Sequence, residues 1–457
     1  MQLTLAFLGF AMIVIFIWSL ARKKLTVYAA LTIVPLVFGF IAAYANGKTA
    51  LDVFTWVKNG LFFSQNAVTG KISWGVVSPA LLILFAVLYF GIMLNAGLFD
   101  PMAKFFIKKA KGDPLKVTLS TVFVASVVTL NGDTTTTILI VVAAFLNLWK
   151  QLNMRLIYLA VIIVTPIGIF NQLPWGGPSI ACATALHVPL NVLFAKILPG
   201  MLVAEVFAIG MAYYLGLKER KRLNYSPQAA RGISPEHMEE MLRAITDKDP
   251  ELKRPKLFTF NLIFTILLLF LMLKDFGHGA VIFMLGSFIA LSVNYRTVEE
   301  CKARLDDLAS DILPPALATF CAGAFSGILS GSGMAKAMAT TIATNIPEAL
   351  GAHMAPIYAI LSAPAICFLP QDAFYFGIAP VVAGVMGQFG VTPEQSAVAS
   401  MVGQAFRLIS PVIPPLYMLC EETETNFVDF QLEYCKYAWP IIFIYLFVYT
   451  ATGAMPF

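Results

Sequence analysis

The sequence predicts an all-α polytopic membrane protein: two inverted-topology repeats of five spans, each with a re-entrant hairpin and a broken helix. Three observations carry that prediction. The chain is 59% hydrophobic and only 12% charged over 457 residues, a balance typical of helical membrane proteins and foreign to soluble domains. Its apolar runs fall into two similar series on either side of a polar segment, 218–256. In each series one pair of runs is too short to cross a hydrocarbon core of about 30 Å, which takes about 20 helical residues, and a polar tip joins the two short arms.

The first repeat, 1–217, starts with a run at 3–20. Its basic cluster follows it and no small-residue cleavage site is present, so it reads as a retained span. Runs at 25–45, 74–97, 156–186 and 193–217 supply four more. Between the second and third, Leu51, Phe54, Val57 and Leu61 recur at helical spacing beside Asp52 and Lys58, which fits an amphipathic helix lying in the interface. A hairpin over about 116–149 has arms at 116–130 and 138–148. After the linker 218–256, the second repeat, 257–457, follows the same order: runs at 257–273 and 278–295, an amphipathic 298–308, a run at 315–333, and a hairpin over about 355–389 with its tip at 370–375. A broken span at 395–419 and a run at 434–453 complete it. The stretch 91–97 ahead of the first hairpin is similar to 327–333 ahead of the second.

Most of the 31 basic residues gather in 22–24, 104–116, Lys150, Arg155, the linker, 296–304 and Lys436. Lys and Arg accumulate in cytoplasmic loops, so the linker is expected in the cytoplasm and both termini outside the cell (inner) membrane. Five spans per half make the second half start on the side where the first ended. The repeats are then inverted, a signature of secondary transporters, and the two hairpins enter from opposite sides with their tips near the midplane. The net charge of +5 is modest, and nucleic acid is not an expected partner. The six cysteines are scattered without a CxxC pair and read as small membrane hydrophobes.

The chemistry is expected at the tips and the breaks. The first tip carries Asn131, Gly132, Asp133 and the hydroxyls of Thr134 to Thr137; the second carries Gln371 and Asp372. An ionisable group at membrane depth costs several kcal/mol unless paired or hydrated, so Asp133, Asp372 and Arg407 are functional candidates, against the alternative of a structural ion pair. The first break, 165–178, holds three prolines and three glycines around Asn171 and Gly176; the second, 403–411, holds Gln404, Arg407 and Ser410 and continues to Pro414 and Pro415. Prolines and glycines free backbone groups, half-helix N-termini attract anions, and freed carbonyls and carboxylates hold cations. Thr134 to Thr137 serve as caps, as ligands, or both. Phe374, Tyr375 and Phe376 read as packing, Trp175 as packing or substrate stack, and His187 and His353 as interfacial. Neither break holds a His or Lys to serve as base beside a nucleophile, which argues against an enzyme.

Together, Gly91 to Pro101, Lys111 to Lys116, Asn131 to Thr137, Leu173 to Pro178, Asp372 to Gly377 and Gly403 to Pro411 resemble the citrate-metal:proton symporter family of the ion transporter superfamily over nearly the whole chain. The resemblance implies no resident cofactor, uptake of citrate with co-transported Mg2+ or Ca2+, coupling to protons, and homodimers with a scaffold and a mobile, elevator-like transport domain. The implied ligand elements are Asn131, Asp133, Thr134, Asn171, Gly176, Asp372, Gln404 and Ser410. This sequence departs at Gln371, where Asn is expected, and at Ala405 and Arg407, where proline and histidine are expected. An added permanent cation suits a free or differently substituted carboxylate. Thr135, Gln371 and Arg407 therefore join the expected substrate contacts, with Asp133 and Asp372 expected to handle the coupled proton or ion. A sodium-coupled (Na+) dicarboxylate carrier of the same superfamily is the alternative.

Overall fold

A computed structural model describes residues 2–22, 24–65, 72–102, 104–105, 113–130, 132, 134–225, 250–274, 276–411 and 413–457. In the first half the helices are α1 (Gln2–Ala21), α2 (Val27–Ala45), α3 (Ala50–Leu61), α4 (Val77–Asn95), α5 (Pro114–Thr129), α6 (Thr134–Gln151), α7 (Leu156–Phe170), α8 (Gly177–Ala185) and α9 (Leu190–Arg222). The second half supplies α10 (Phe258–Leu273), α11 (Gly279–Asn294), α12 (Val298–Gly331), α13 (Met334–Ala343), α14 (Glu348–Gly351), α15 (Met354–Phe368), α16 (Ala379–Gln388), α17 (Pro393–Val402), α18 (Pro414–Glu422) and α19 (Phe427–Ala451). Two short antiparallel strands, β1 (Phe63–Gln65) and β2 (Ile72–Trp74), are the exception to an all-helical fold.

Among the described residues, six helices are long and apolar enough to cross a membrane, and a seventh span results when 393–409 and 414–422, bent by 41°, are taken together. The remaining expected spans are α11, the pair α7 and α8 around the first break, and α19, which carries Asp429, Glu433 and Lys436 toward its start. Of the expected hairpin arms, α5 has 16 residues, α6 18, α15 15 and α16 10.

Local sequence explains where several elements begin. Asp113 caps α5 by accepting from the Leu115 amide at 3.1 Å. Thr297 accepts from the Glu300 amide while the Glu300 carboxylate accepts from the Thr297 amide, a reciprocal cap that opens α12. The Asp52 carboxylate accepts from the Thr49 amide at 2.8 Å at the start of α3. The same threonine and acid spacing thus opens the amphipathic segment of each half.

Three expectations are corrected. The amphipathic 298–308 and the run at 315–333 form one helix, α12, with Pro314 and Pro315 inside it; in the first half α3 and α4 stay separate, joined through β1 and β2. The span ending at 217 extends to Arg222, because the last turn of α9 satisfies its charges. There Arg222 pairs with Glu219, Arg220 with Asp113, and the cations sit at the helix end that favours them. The second tip does not stay open through Tyr375: 373–378 wind into a π-helix.

Packing sorts the elements into two groups, each drawing on both halves. α12 lies against α2, α3 and α4, and α11 against α4. In the other group α5 packs on α7 and α9, α15 on α17 and the second break, and α19 on α9 and the second break. α1 and α13 bridge to α16 and the π-helix. Every residue of α7 from Tyr158 to Ile169 is buried, so the broken backbone that follows it is enclosed by protein, the condition under which a break is tolerated at membrane depth.

Candidate functional site

The first tip turns at Gly132, whose φ of +85° favours glycine. A Cβ there would lie 3.0 Å from the Trp175 ring, and the Trp175 indole N–H donates to the Leu130 carbonyl at 2.9 Å. Trp175, from the first break, therefore covers the first tip. Asn131 and Asp133 lie outside the described residues. α6 begins at the threonines, and Thr134 and Thr135 in its first turn face the cavity described below.

The first break is a run of turns from Asn171 to Gly176. The amides of Asn171, Leu173 and Gly176 donate to the carbonyls of Ile167, Phe170 and Leu173 at 2.9, 3.1 and 2.7 Å, and the Ser179 hydroxyl donates to the Gln172 carbonyl at 2.6 Å. A Cβ on Gly176 would stand 1.9 Å from the Asn171 carbonyl oxygen, so the turn closes only around glycine. α8 then starts with its N-terminus free, and a Cβ on Gly177 would lie 3.1 Å from the Gln371 amide nitrogen. The second hairpin tip thus reaches the start of the first break's half-helix.

The second break differs from expectation. Gly403–Ile409 keeps 3-10 geometry with a kink at Leu408, and among the described residues the extended backbone comes only after it, at Ser410 and Ile413. α19 satisfies the carbonyls this releases: Gln431 donates to the Ile409 carbonyl at 2.6 Å and the Tyr434 hydroxyl to that of Ala405 at 3.4 Å. Arg407 donates to the Leu369 carbonyl at 3.4 Å, at the end of α15. Among the described residues Arg407 enters no ion pair, so a structural bridge to Asp372, Glu421 or Glu422 is not what holds it.

These pieces converge on a cavity of about 330 Å³, a volume suited to a small ligand. Thr134, Thr135, Asn171, Gln371 and Arg407 all line it, with Gly132, Gly177 and Pro414. Gly176 caps the half-helix at its wall. Gln404 stands behind: its amide nitrogen donates to the Tyr375 hydroxyl at 2.7 Å, and its oxygen accepts from Asn171 at 3.4 Å. Asp372 and Ser410 are not part of the lining. Tyr375, read from the sequence as packing, is buried but also fixes Gln404, a role that no spacing in the sequence signals.

Among the described residues the charged group lining the cavity is Arg407, and the N-terminal ends of α6 and α8 meet it there, an arrangement that binds carboxylates. The Asn171 side-chain oxygen is buried without a partner, an acceptor suited to a hydroxyl or a cation. A larger cavity of about 1020 Å³ shares Gly132 and Gly177 with the first and runs between α4 and α12 to Glu251 and Leu252, at the end of the linker. It joins the small site to the linker side.

The family profile described as "Citrate transporter" matches residues 11–403. Two Bacillus subtilis (strain 168) proteins are similar over 95% of both chains: one named "Citrate transporter", 36% identical over 437 residues, and one named "Mg(2+)/citrate complex secondary transporter", 33% identical over 434 residues. Among solved structures, Neisseria gonorrhoeae MtrF superposes with a TM-score of 0.57 at 12% identity, covering 91% of this chain and 94% of that one. The Alcanivorax borkumensis YdaH transporter superposes with a TM-score of 0.51 at 14% identity, covering 92% and 98%. These two likenesses bear on the fold alone. Matched over most of its length, by the profile and by relatives above 30% identity, the chain belongs to the citrate transporter family, a family of transporters and not of enzymes.

Proposed function

We propose that the protein is a symporter of the cell membrane that takes up citrate, or a related di- or tricarboxylate, as a complex with Mg2+ or Ca2+ and together with protons. The observation that carries this reading is the convergence of Arg407, residues of both tips and the N-termini of α6 and α8 on one cavity of about 330 Å³. Arg407 takes one substrate carboxylate in paired hydrogen bonds; the amides of α6 and α8 with Thr134 and Thr135 take a second. Among the described residues no three His, Cys, Asp or Glu side chains come together as a metal cage, so the metal travels on the substrate's own oxygens, with Asn171 offering an outer acceptor.

In this reading the linker is cytoplasmic, the termini are outside, the repeats are inverted, and the larger cavity is the inward path. The Lys150–Glu424 ion pair supports it by joining the end of α6 to the turn after α18, which the topology assigns to one side. The division of packing into two groups suits a homodimer in which the group holding the hairpins moves past the other.

The deciding measurement is uptake of labelled citrate into proteoliposomes, with and without Mg2+ or Ca2+, under separately imposed proton and sodium gradients. Stimulation by the metal and by an inward proton gradient is expected. Dependence on sodium alone would point instead to a sodium-coupled dicarboxylate carrier.

A further inference from the structure

A carboxyl absent from the site stands at membrane depth in the same packing group. Glu205 lies midway along α9, between outward-facing Leu202 and Val206, which are 56% and 69% exposed. Its Oε1 is 2.5 Å from Ser126 Oγ on α5, the first arm of the first hairpin. Its Oε2 is buried and has no partner.

Proton counting makes this geometry informative. Ser126 Oγ also lies 2.7 Å from the Val122 carbonyl, which can only accept. A serine hydroxyl has one proton to give. Both contacts are satisfied when Ser126 donates to Val122, as helical serines do, and a protonated Glu205 donates to Ser126. The ionised alternative turns the serine proton away from Val122 and leaves Oε2 as a buried, unpaired anionic oxygen, which is costly at this depth.

Among the described residues of the elements packed on α9, no counter-charge lies at this level. Of the elements packed on α9, α10 has no titratable group, α5 has Lys116 in its first turn, and α17 has Glu394 in its first turn. On α7, Tyr158 sits beside Lys218, and on α8 Cys182 contacts Ser400. On α19 the charged Asp429, Glu433 and Lys436 are near its start, Tyr449 donates to the Ile197 carbonyl, and Tyr445 is close enough to interact electrostatically with Glu205. The Tyr445 hydroxyl accepts from the Gln172 amide at 3.0 Å. Gln172 neighbours Asn171 in the first break, and its own side-chain oxygen is buried without a partner. Tyr445 and Gln172 thus place polar groups between the neighbourhood of Glu205 and the back of the substrate site, with no direct hydrogen bond from Glu205 to Tyr445 among the described residues.

We propose that Glu205 is a proton-carrying carboxyl of the transport cycle, loaded as Glu205–COOH in the conformation described here and releasing its proton to water when the contact with Ser126 opens. This rests on the proton-coupled reading above. The test uses purified protein in proteoliposomes, comparing wild type with Glu205→Gln, a mimic of the protonated form. Citrate–Mg2+ exchange without a gradient and uptake driven by an inward proton gradient are measured side by side. We expect Glu205→Gln to exchange citrate at about the wild-type rate and to lose the severalfold acceleration by the gradient. A wild type that ignores the gradient overturns proton coupling itself. A wild type that responds, with Glu205→Gln responding equally, overturns the Glu205 assignment alone. Ser126→Ala removes the acceptor of the Glu205 proton together with the serine's own bond to the Val122 carbonyl, and should move the pH midpoint of uptake to lower pH. An unmoved midpoint overturns the assignment even where Glu205→Gln fails to fold.

Discussion

The two broken helices solve one problem in different ways. The first break abandons helical geometry from Asn171 to Gly176 and presents backbone: a half-helix N-terminus, with two orphan side-chain oxygens, those of Asn171 and Gln172, beside it. The second keeps a 3-10 turn through Ile409 and presents a side chain, Arg407, while α19 absorbs its spare carbonyls. A backbone site demands a chain path that only glycine permits, whereas a side-chain site demands a rotamer and a supporting shell. The first should fail abruptly on substitution, the second by degrees.

The largest effect is expected at Gly176. A Cβ 1.9 Å from a carbonyl cannot be absorbed by a side chain moving aside, so Gly176→Ala should abolish citrate uptake in proteoliposomes. Equal uptake by the variant would show that the first break does not need its closed turn. Arg407 comes next. A charge-assisted hydrogen bond contributes about 1.5 to 3 kcal/mol, so Arg407→Ala should raise the half-saturating citrate concentration roughly tenfold to a hundredfold. Arg407→Lys should raise it less, since an ammonium lacks the planar fork. A folded Arg407→Ala protein with unchanged half-saturation would remove the arginine from the site.

A smaller effect is expected at Tyr375, where loss of the hydroxyl frees Gln404. A neutral hydrogen bond contributes about 0.5 to 1.5 kcal/mol, so Tyr375→Phe should weaken half-saturation by roughly two- to tenfold, with little change in thermal unfolding in detergent. Gln371→Asn, which shortens the reach toward Gly177, should have the smallest effect, a few-fold at most; a change as large as that of Arg407→Ala would make the second tip a principal ligand.

Away from the site, Asp113 offers a stability test. Burial pushes its carboxyl up, but the bonds from Arg220 and the Leu115 amide outweigh that and hold it below the usual value. A depressed carboxylate stabilises the fold above its unfolded value, and that contribution disappears as pH falls through the folded one. Thermal unfolding of the wild type should therefore drop on acidification by more than that of Asp113→Asn. Parallel curves would show the pair to be dispensable.

The apolar membrane-spanning helices were legible because run length against membrane thickness is a coarse, strong signal, and the interruptions between them stood out as polar or Gly-Pro stretches in apolar runs. Five of the expected contacts line one cavity for the same reason. Other features had no such signal. Pro314–Pro315 reads as a boundary, yet α12 continues through it. The π-helix at 373–378 and the 3-10 turn at 403–409 differ from α-helix by one residue of register, which composition does not encode. Glu205 passed unnoticed because one acid inside a long apolar run leaves the run spanning, and its serine partner is far away in sequence.

Trp175 has a consequence of its own. Its indole holds the Leu130 carbonyl of the hairpin group and stacks on Phe90 of α4 in the other group, with ring centroids 4.2 Å apart at 28°. A transport stroke that slid one group past the other, as in the proposed function, would part these rings while the hydrogen bond travelled with its own side. The tryptophan would then be a native optical gauge of that stroke: its emission should change with citrate in the wild type, and that change should vanish in Trp175→Phe; an emission unaffected by citrate would argue against the sliding.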